Sequence, residues 1–178
     1  MNIFYLHEDP TTCAQQHVDK HVVKMILEYA QLLSTAHRLI DGVETVGLSN
    51  SGRKAKRWVL PDERDAMLYK ASHINHPSAK WCRHTLANYQ FLFKLWVELM
   101  REYHYRYGKI HASMRLLKYL KTPPTNIPSG EFSAPWRAMP DEYKVDGDTI
   151  QSYRNYYLGA KTSMFKWKNR ETPSWITK

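Results

Sequence analysis

A chain of 178 residues suits one domain, long enough to bury a core without cross-links or metal and cramped for two. Its 26 Lys and Arg against 17 Asp and Glu leave a formal net charge of +9, which makes polyanions the expected partners, nucleic acid ahead of an anionic membrane. Two cysteines without C-x-x-C or finger spacing exclude a disulfide framework and a zinc module, the Ile3–Leu6 run is too short for a signal peptide, and no apolar run nears the roughly 18 residues of a membrane span. Cys13 and Cys82 are therefore expected to be reduced and packed, and the expected address is cytoplasmic.

Along the chain, Ile3 to Leu6 leads to Asp9-Pro10, an N-cap followed by a first-turn proline, so a helix is predicted to begin there. From Cys13 to about Ile40, Ala14, Val18, Val22, Met25, Tyr29, Leu32, Leu33, Ala36 and Leu39 recur at three- and four-residue steps, which predicts one amphipathic helix. Asp41-Gly42 stops it. The segment to Pro61, with Gly42, Gly47, Ser49-Asn50-Ser51-Gly52 and the cluster Arg53-Lys54-Ala55-Lys56-Arg57, is expected to be a flexible basic loop.

A short helix is predicted over Asp62 to Ser72, then a turn at Asn75-His76-Pro77-Ser78, then the longest helix from Ala79 to Tyr107, ended by Gly108. His111 to Lys121 is predicted as another short helix. Thr122 to Gly147 holds five of the nine prolines and is expected to be an irregular, ordered wrap. Asp148-Thr149-Ile150-Gln151 marks the start of a last helix reaching about Lys161. The expected fold class is all-α, a single-domain helical bundle over residues 1–178 with a Pro-rich wrap.

Four constellations carry possible chemistry. In one continuous helix, His17, His21, Lys24 and Glu28 would form a stripe of two imidazoles, an amine and a carboxylate, able to bind phosphate and move protons. The alternative is a solvated face with satisfied histidines. No H-E-x-x-H pattern or third ligand accompanies the pair, so no metal is implied.

Ser72-His73-Ile74-Asn75-His76-Pro77-Ser78, followed by Arg83-His84, has more histidines than capping by Asn75 or Ser78 would need, which suits an anion at a helix start. Tyr153-Arg154-Asn155-Tyr156-Tyr157 with Lys161, then Lys166-Trp167-Lys168, interleaves rings and cations as a surface that stacks on bases and neutralises their backbone, the alternative being tyrosines packed in the core. Trp136-Arg137, in the wrap, is placed to line a pocket. The absence of a Gly-rich phosphate loop, a nucleophile-elbow serine and a paired-aspartate motif excludes nucleotide hydrolases, dinucleotide oxidoreductases and ordinary serine hydrolases, and no cofactor is implied.

Ala14-Gln15-Gln16-His17, the long central helix and Tyr153-Arg154-Asn155-Tyr156-Tyr157-Leu158-Gly159 together resemble, in order, segments of the small all-helical phage pyrimidine-dimer DNA glycosylases. In that family a glutamate seven residues after the helix-opening histidine is catalytic and a processed N-terminal amine is the nucleophile. Here the first position falls on Lys24, and the chain opens Met1-Asn2. The chain is also similar to a group of phage proteins, through His17-Val18-Asp19-Lys20-His21, Met139-Pro140-Asp141-Glu142-Tyr143 and Ser152-Tyr153-Arg154-Asn155-Tyr156-Tyr157, which implies a place near thymine-hypermodification enzymes that transfer an amine onto an activated 5-hydroxymethyl pyrimidine.

These readings converge on an enzyme acting on a pyrimidine base flipped out of duplex DNA. Lys24 is expected to be the amine nucleophile or proton-handling group, His17 and His21 to bind phosphate or shuttle protons, and Asp19 to orient one of them. Lys20, Arg53, Lys54, Lys56, Arg57, His73, His76, Arg83, Trp136, Arg137, Tyr153, Arg154, Tyr156, Tyr157, Lys161, Lys166, Trp167 and Lys168 are expected to hold the DNA. Excision through a Schiff base at Lys24 and a noncatalytic phage DNA-binding or host-interaction protein are the rival expectations.

Overall fold

The computed structural model describes residues 1–49 and 51–176; Asn50 of the expected basic loop, Thr177 and Lys178 lie outside the described residues. Seven α-helices occur among the described residues: α1 (Pro10–Gln16), α2 (Asp19–Asp41), α3 (Arg64–Met67), α4 (Pro77–Cys82), α5 (Leu86–Tyr107), α6 (Leu117–Leu120) and α7 (Thr149–Ala160). Strands β1 (Val43–Leu48) and β2 (Lys54–Val59) pair into one antiparallel ribbon. The chain is thus mostly helical, with one small sheet.

The core forms where α1 and α2 pack on α5 and α4 packs on α2. Trp81, Trp96, Tyr29 and Tyr89 are among its largest fully buried side chains, and removing a large apolar side chain of this kind from water stabilises a fold by roughly 1.5–3 kcal/mol. Their polar ends are satisfied: Trp96 Nε1 donates to the Ile26 carbonyl at 2.9 Å, and Tyr89 Oη donates to the Leu120 carbonyl at 2.8 Å. The N-terminal run Ile3–Leu6 is threaded through this core with every residue buried. The Phe4 amide donates to Tyr29 Oη at 3.0 Å, and Cys13 Sγ lies between the Leu6 amide and the Phe4 carbonyl. Both cysteines are free and buried, and burial pushes the Cys13 thiol up to about 11, so it stays protonated.

Several ends follow the local code. Asp9 caps α1 by accepting from the Thr12 amide, with Pro10 at the first helical position. Gly108 ends α5 at φ 65°, a left-handed conformation that glycine adopts without a Cβ penalty. Asp148 caps α7 by accepting from the Gln151 amide, and the Thr122–Gly147 wrap carries a short 3-10 turn at Asp141–Tyr143.

Four expected elements differ. The single helix over residues 13–40 is two helices, broken at His17-Val18, and the expected Ala79–Tyr107 helix is broken between Cys82 and Leu86, where Thr85 caps α5 by accepting from the Asn88 amide. The expected Asp62–Ser72 helix shrinks to α3. The expected flexible loop after Gly42 is the β1–β2 ribbon, whose backbone groups are satisfied by pairing Val43 with Val59 through Leu48 with Lys54.

Candidate active site on the edge of the second helix

The break between α1 and α2 decides which side chains share an edge. At the end of α1, the His17 ring Nδ1 donates to the Cys13 carbonyl at 2.7 Å, and Arg106 of α5 donates to the Gln15 carbonyl through Nη2 and to the His17 carbonyl through Nη1. These bonds satisfy carbonyls that a continuing helix would have used. His17 therefore precedes α2 instead of standing on it, and it is fully buried. The expected four-residue stripe is corrected to His21, Lys24 and Glu28. Burial lowers the His17 pKa to about 4, so its ring is neutral, and Nε2 has no hydrogen-bond partner in the interior.

His21 is held by residues far away in sequence. Tyr157 of α7 is fully buried, and burial holds its hydroxyl well above the usual tyrosine range, so it is a donor. It lies 2.7 Å from His21 Nδ1 and has no other acceptor among the described residues, so it donates to that ring nitrogen. The Phe4 ring stacks on the imidazole with centroids 4.2 Å apart. Burial first, with the neighbouring His17, Lys161 and Lys24 adding to it, lowers the His21 pKa to about 3. His21 is thus a neutral imidazole with its proton on Nε2, a hydrogen-bond donor and not a phosphate-binding cation.

A nucleophilic Lys24 would need a partly desolvated amine. Its side chain is instead 67% exposed, and Nζ lies 3.2 Å from Glu28 Oε1. The Glu28 side chain is only 15% exposed and its other oxygen lies 3.7 Å from the Met1 ammonium, so one sheltered carboxylate is shared by two amines. Ser78 Oγ at the start of α4 donates to the Met1 carbonyl at 2.9 Å, bringing His76 alongside. Burial, with the Met1 ammonium and His73 adding to it, lowers the His76 pKa. His76 Nδ1 caps α4 by accepting from the Ser78 amide at 3.1 Å, so this histidine, expected to be surplus to capping, is the cap. His73 is exposed beside it.

Asp19 faces away from the histidines. Its Oδ1 accepts from Arg106 Nη1 and from the Lys168 amide, both at 2.9 Å, in a buried network that continues from Arg106 to Glu102 and on to Arg170. The expected orienting role is corrected to a structural one.

The aromatic C-terminal surface is also corrected in part. Tyr153 and Tyr157 are fully buried because this face of α7 covers Phe4, and neither ring is available to a base. Arg154 is turned inward, with Nε and Nη2 both donating to the Leu6 carbonyl. Trp167 Nε1 donates to the Gln16 carbonyl, and Arg83 Nη2 donates to the Ile74 carbonyl. Tyr156 stays half-exposed beside the site, with Lys161 Nζ 4.6 Å from its ring centroid. Lys20, Lys166 and Lys168 are exposed, as are Arg53, Lys54 and Lys56 of the ribbon, while Arg57 is half-exposed. Trp136 and Arg137 line a cavity of about 340 Å³ with Lys144 and Thr149.

The residues brought together are therefore His21, Lys24, Glu28, His76, Tyr156 and Lys161. Glu28 stood in the expected stripe without a role of its own, and the positioning role of Tyr157 went unassigned by sequence. The first was legible, since a carboxylate one turn after Lys24 is the nearest base to that amine, whereas the second depends on a contact across 136 residues. No group of three His, Cys, Asp or Glu side chains converges on a metal-sized site among the described residues. Comparison with known proteins gives no matching family model, no matching curated protein and no matching solved structure.

Proposed function

We propose that the chain is a DNA-acting enzyme that modifies a pyrimidine by transfer at its 5-substituent, on a helical scaffold of the pyrimidine-dimer glycosylase kind. The observation that carries this reading is the sheltered Glu28 carboxylate, 3.2 Å from the exposed Lys24 amine, which in turn stands near the neutral His21. A displacement at a 5-methylene carbon breaks a carbon–oxygen bond, forms a carbon–nitrogen bond and releases one proton from the attacking amine. Glu28 is placed to take that proton. Lys24 and Lys161 supply positive charge for an anionic leaving group, and His21 Nε2–H supplies a donor for a pyrimidine carbonyl or the departing oxygen. The exposure of Lys24 moves the proton-handling role from the lysine to the glutamate. The net charge of +9 supports a polyanionic substrate.

The test is nucleoside mass spectrometry on duplex DNA carrying a phosphorylated 5-hydroxymethyl pyrimidine, incubated with the protein and an amine. The expected product is a heavier nucleoside in unbroken strands. A second reading, excision with a Schiff base at Lys24, draws on the same Glu28–Lys24 pair, because Glu28 supplies beside the amine the carboxylate that the glycosylase resemblance places at position 24. Borohydride trapping of a protein–DNA adduct at Lys24 would favour it over transfer. Binding with neither outcome would leave a noncatalytic module.

A further inference from the structure

We infer that the β1–β2 ribbon is a DNA-reading arm that lies in the major groove of the duplex, a mode of engagement that rests on the proposed action on DNA. Six-residue strands extend about 20 Å, and the ribbon uses almost none of that length to build the core. Val43, Val46, Leu48 and Val59 are 68%, 71%, 67% and 45% exposed. A two-stranded ribbon standing clear of a core is marginal in water, so its persistence needs an anchor and its exposed apolar surface needs a use.

The anchor is at the base. Arg38 of α2 is 5% exposed, and its five N–H donors all have acceptors: the Trp58, Tyr69, Asp65 and Leu68 carbonyls and Asp65 Oδ1. Asp65 Oδ1 also accepts from the Leu60 amide just after β2. At the other strand, a Cβ on Gly42 would lie 2.4 Å from the Arg38 carbonyl oxygen, so α2 feeds into β1 by a close approach that only glycine allows. One end is fixed and the other projects.

Charge selects the occupant. Arg53, Lys54, Lys56 and Arg57 face one acid in the strands, Glu44, which pairs with Lys56. In the observed register Val46 opposes Lys56 and Leu48 opposes Lys54, so one face alternates exposed aliphatic and cationic side chains. Cations meet phosphates at a groove wall while aliphatic groups meet thymine methyls on its floor. The major groove, about 12 Å wide, admits a two-stranded ribbon in undeformed duplex, whereas the minor groove, about 6 Å wide, would first have to be opened and the duplex bent. The Ser-Gly composition of the projecting turn keeps that end narrow.

The test compares the native chain with Lys54→Ala/Lys56→Ala and Lys54→Arg/Lys56→Arg double variants by duplex titration across a salt series and by dimethyl sulfate footprinting, after circular dichroism shows equal helicity. Loss of two phosphate contacts should weaken duplex binding about tenfold and flatten the log–log salt slope by about 2, with the Arg variant close to native. Guanine N7 atoms in the major groove should be protected by the native chain and exposed in the Ala variant. Unchanged affinity in the Ala variant, or protection confined to adenine N3 in the minor groove, overturns the arm and leaves the proposed chemistry standing. Absence of duplex binding by the native chain overturns both.

Discussion

Tyr157 and His21, 136 residues apart in the chain, are joined by a 2.7 Å hydrogen bond that fixes which imidazole nitrogen carries the proton. Tyr157→Phe keeps the ring and removes this bond, leaving a buried ring nitrogen unpaired, an expected loss of about 1–3 kcal/mol. Urea unfolding measures that loss, and nitrogen chemical shifts of His21 should show a second tautomer. A variant of native stability with a single tautomer would remove Tyr157 from the site.

Arg106 is expected to be the most sensitive charged residue of the core. Its side chain is fully buried and joins Asp19, Glu102 and the Gln15 and His17 carbonyls. Arg106→Met leaves two backbone carbonyls and two carboxylates, Asp19 and Glu102, each short of a partner, a cost of about 3–5 kcal/mol. Thermal unfolding should fall by roughly 10 °C, and the Asp19→Asn variant should lose less because it keeps an acceptor oxygen. A Met variant as stable as the native chain would show that Asp19 and Glu102 do not depend on this cation.

How much of this could be read from sequence depends on the range of the interactions. Asp9-Pro10, Gly108 and Asp148 act within one turn, and the ends they mark are where the sequence predicts them. The α1–α2 break has no proline or glycine; it is held by Arg106, 89 residues from His17, so local periodicity runs straight through it. Thr85 was a readable cap, masked by an apolar stripe that continues across Trp81, Cys82 and Leu86. The ribbon was hidden because its strands are largely exposed and the second, Lys54-Ala55-Lys56-Arg57-Trp58-Val59, has one β-branched residue, although Ser49-Asn50-Ser51-Gly52 after Val43, Thr45 and Val46 is a hairpin signal. Of the site, Lys24 and His21 were legible as helical neighbours. The burial of His17, Tyr153 and Tyr157 was not, because periodicity shows that a face is apolar and not what covers it.

Acid should destabilise the fold in two separate windows. His17 and His37 are lowered to about 4 and His21 to about 3, chiefly by burial. Above the unfolded-state value near 6.5 both states are neutral and the stability is intact. As pH falls below it the unfolded chain takes up protons that the folded chain refuses, so stability declines toward pH 4, by about 3 kcal/mol for His17 alone. The lowered carboxylates Asp41 and Asp65 act later, since their stabilisation is present above about 3.8 and is lost as pH falls through their folded values. Urea midpoints should therefore drop between pH 7 and pH 4.5, before carboxylates titrate, and the ring protons of these three histidines should not titrate above pH 5. A flat midpoint over that interval would contradict the buried neutral rings.

The sharpest division between transfer and excision lies in the Lys24–Glu28 pair. If Glu28 takes the proton of an incoming amine and Lys24 only supplies charge, Lys24→Arg keeps the charge and should retain turnover within about threefold, whereas Glu28→Gln should reduce it at least about a hundredfold, the scale of a lost general base. If instead Lys24 forms a Schiff base, arginine cannot replace it, and Lys24→Arg should abolish turnover and borohydride trapping together. Duplex affinity should stay within about threefold in both variants, because the amine is exposed and contributes one contact among many. Nucleoside mass spectrometry with Lys24→Arg, Lys24→Ala and Glu28→Gln separates the two. Product retained in Lys24→Arg and lost in Glu28→Gln assigns proton transfer to the carboxylate, while full activity in Glu28→Gln removes the pair from the chemistry and directs the search to the Trp136–Arg137 cavity.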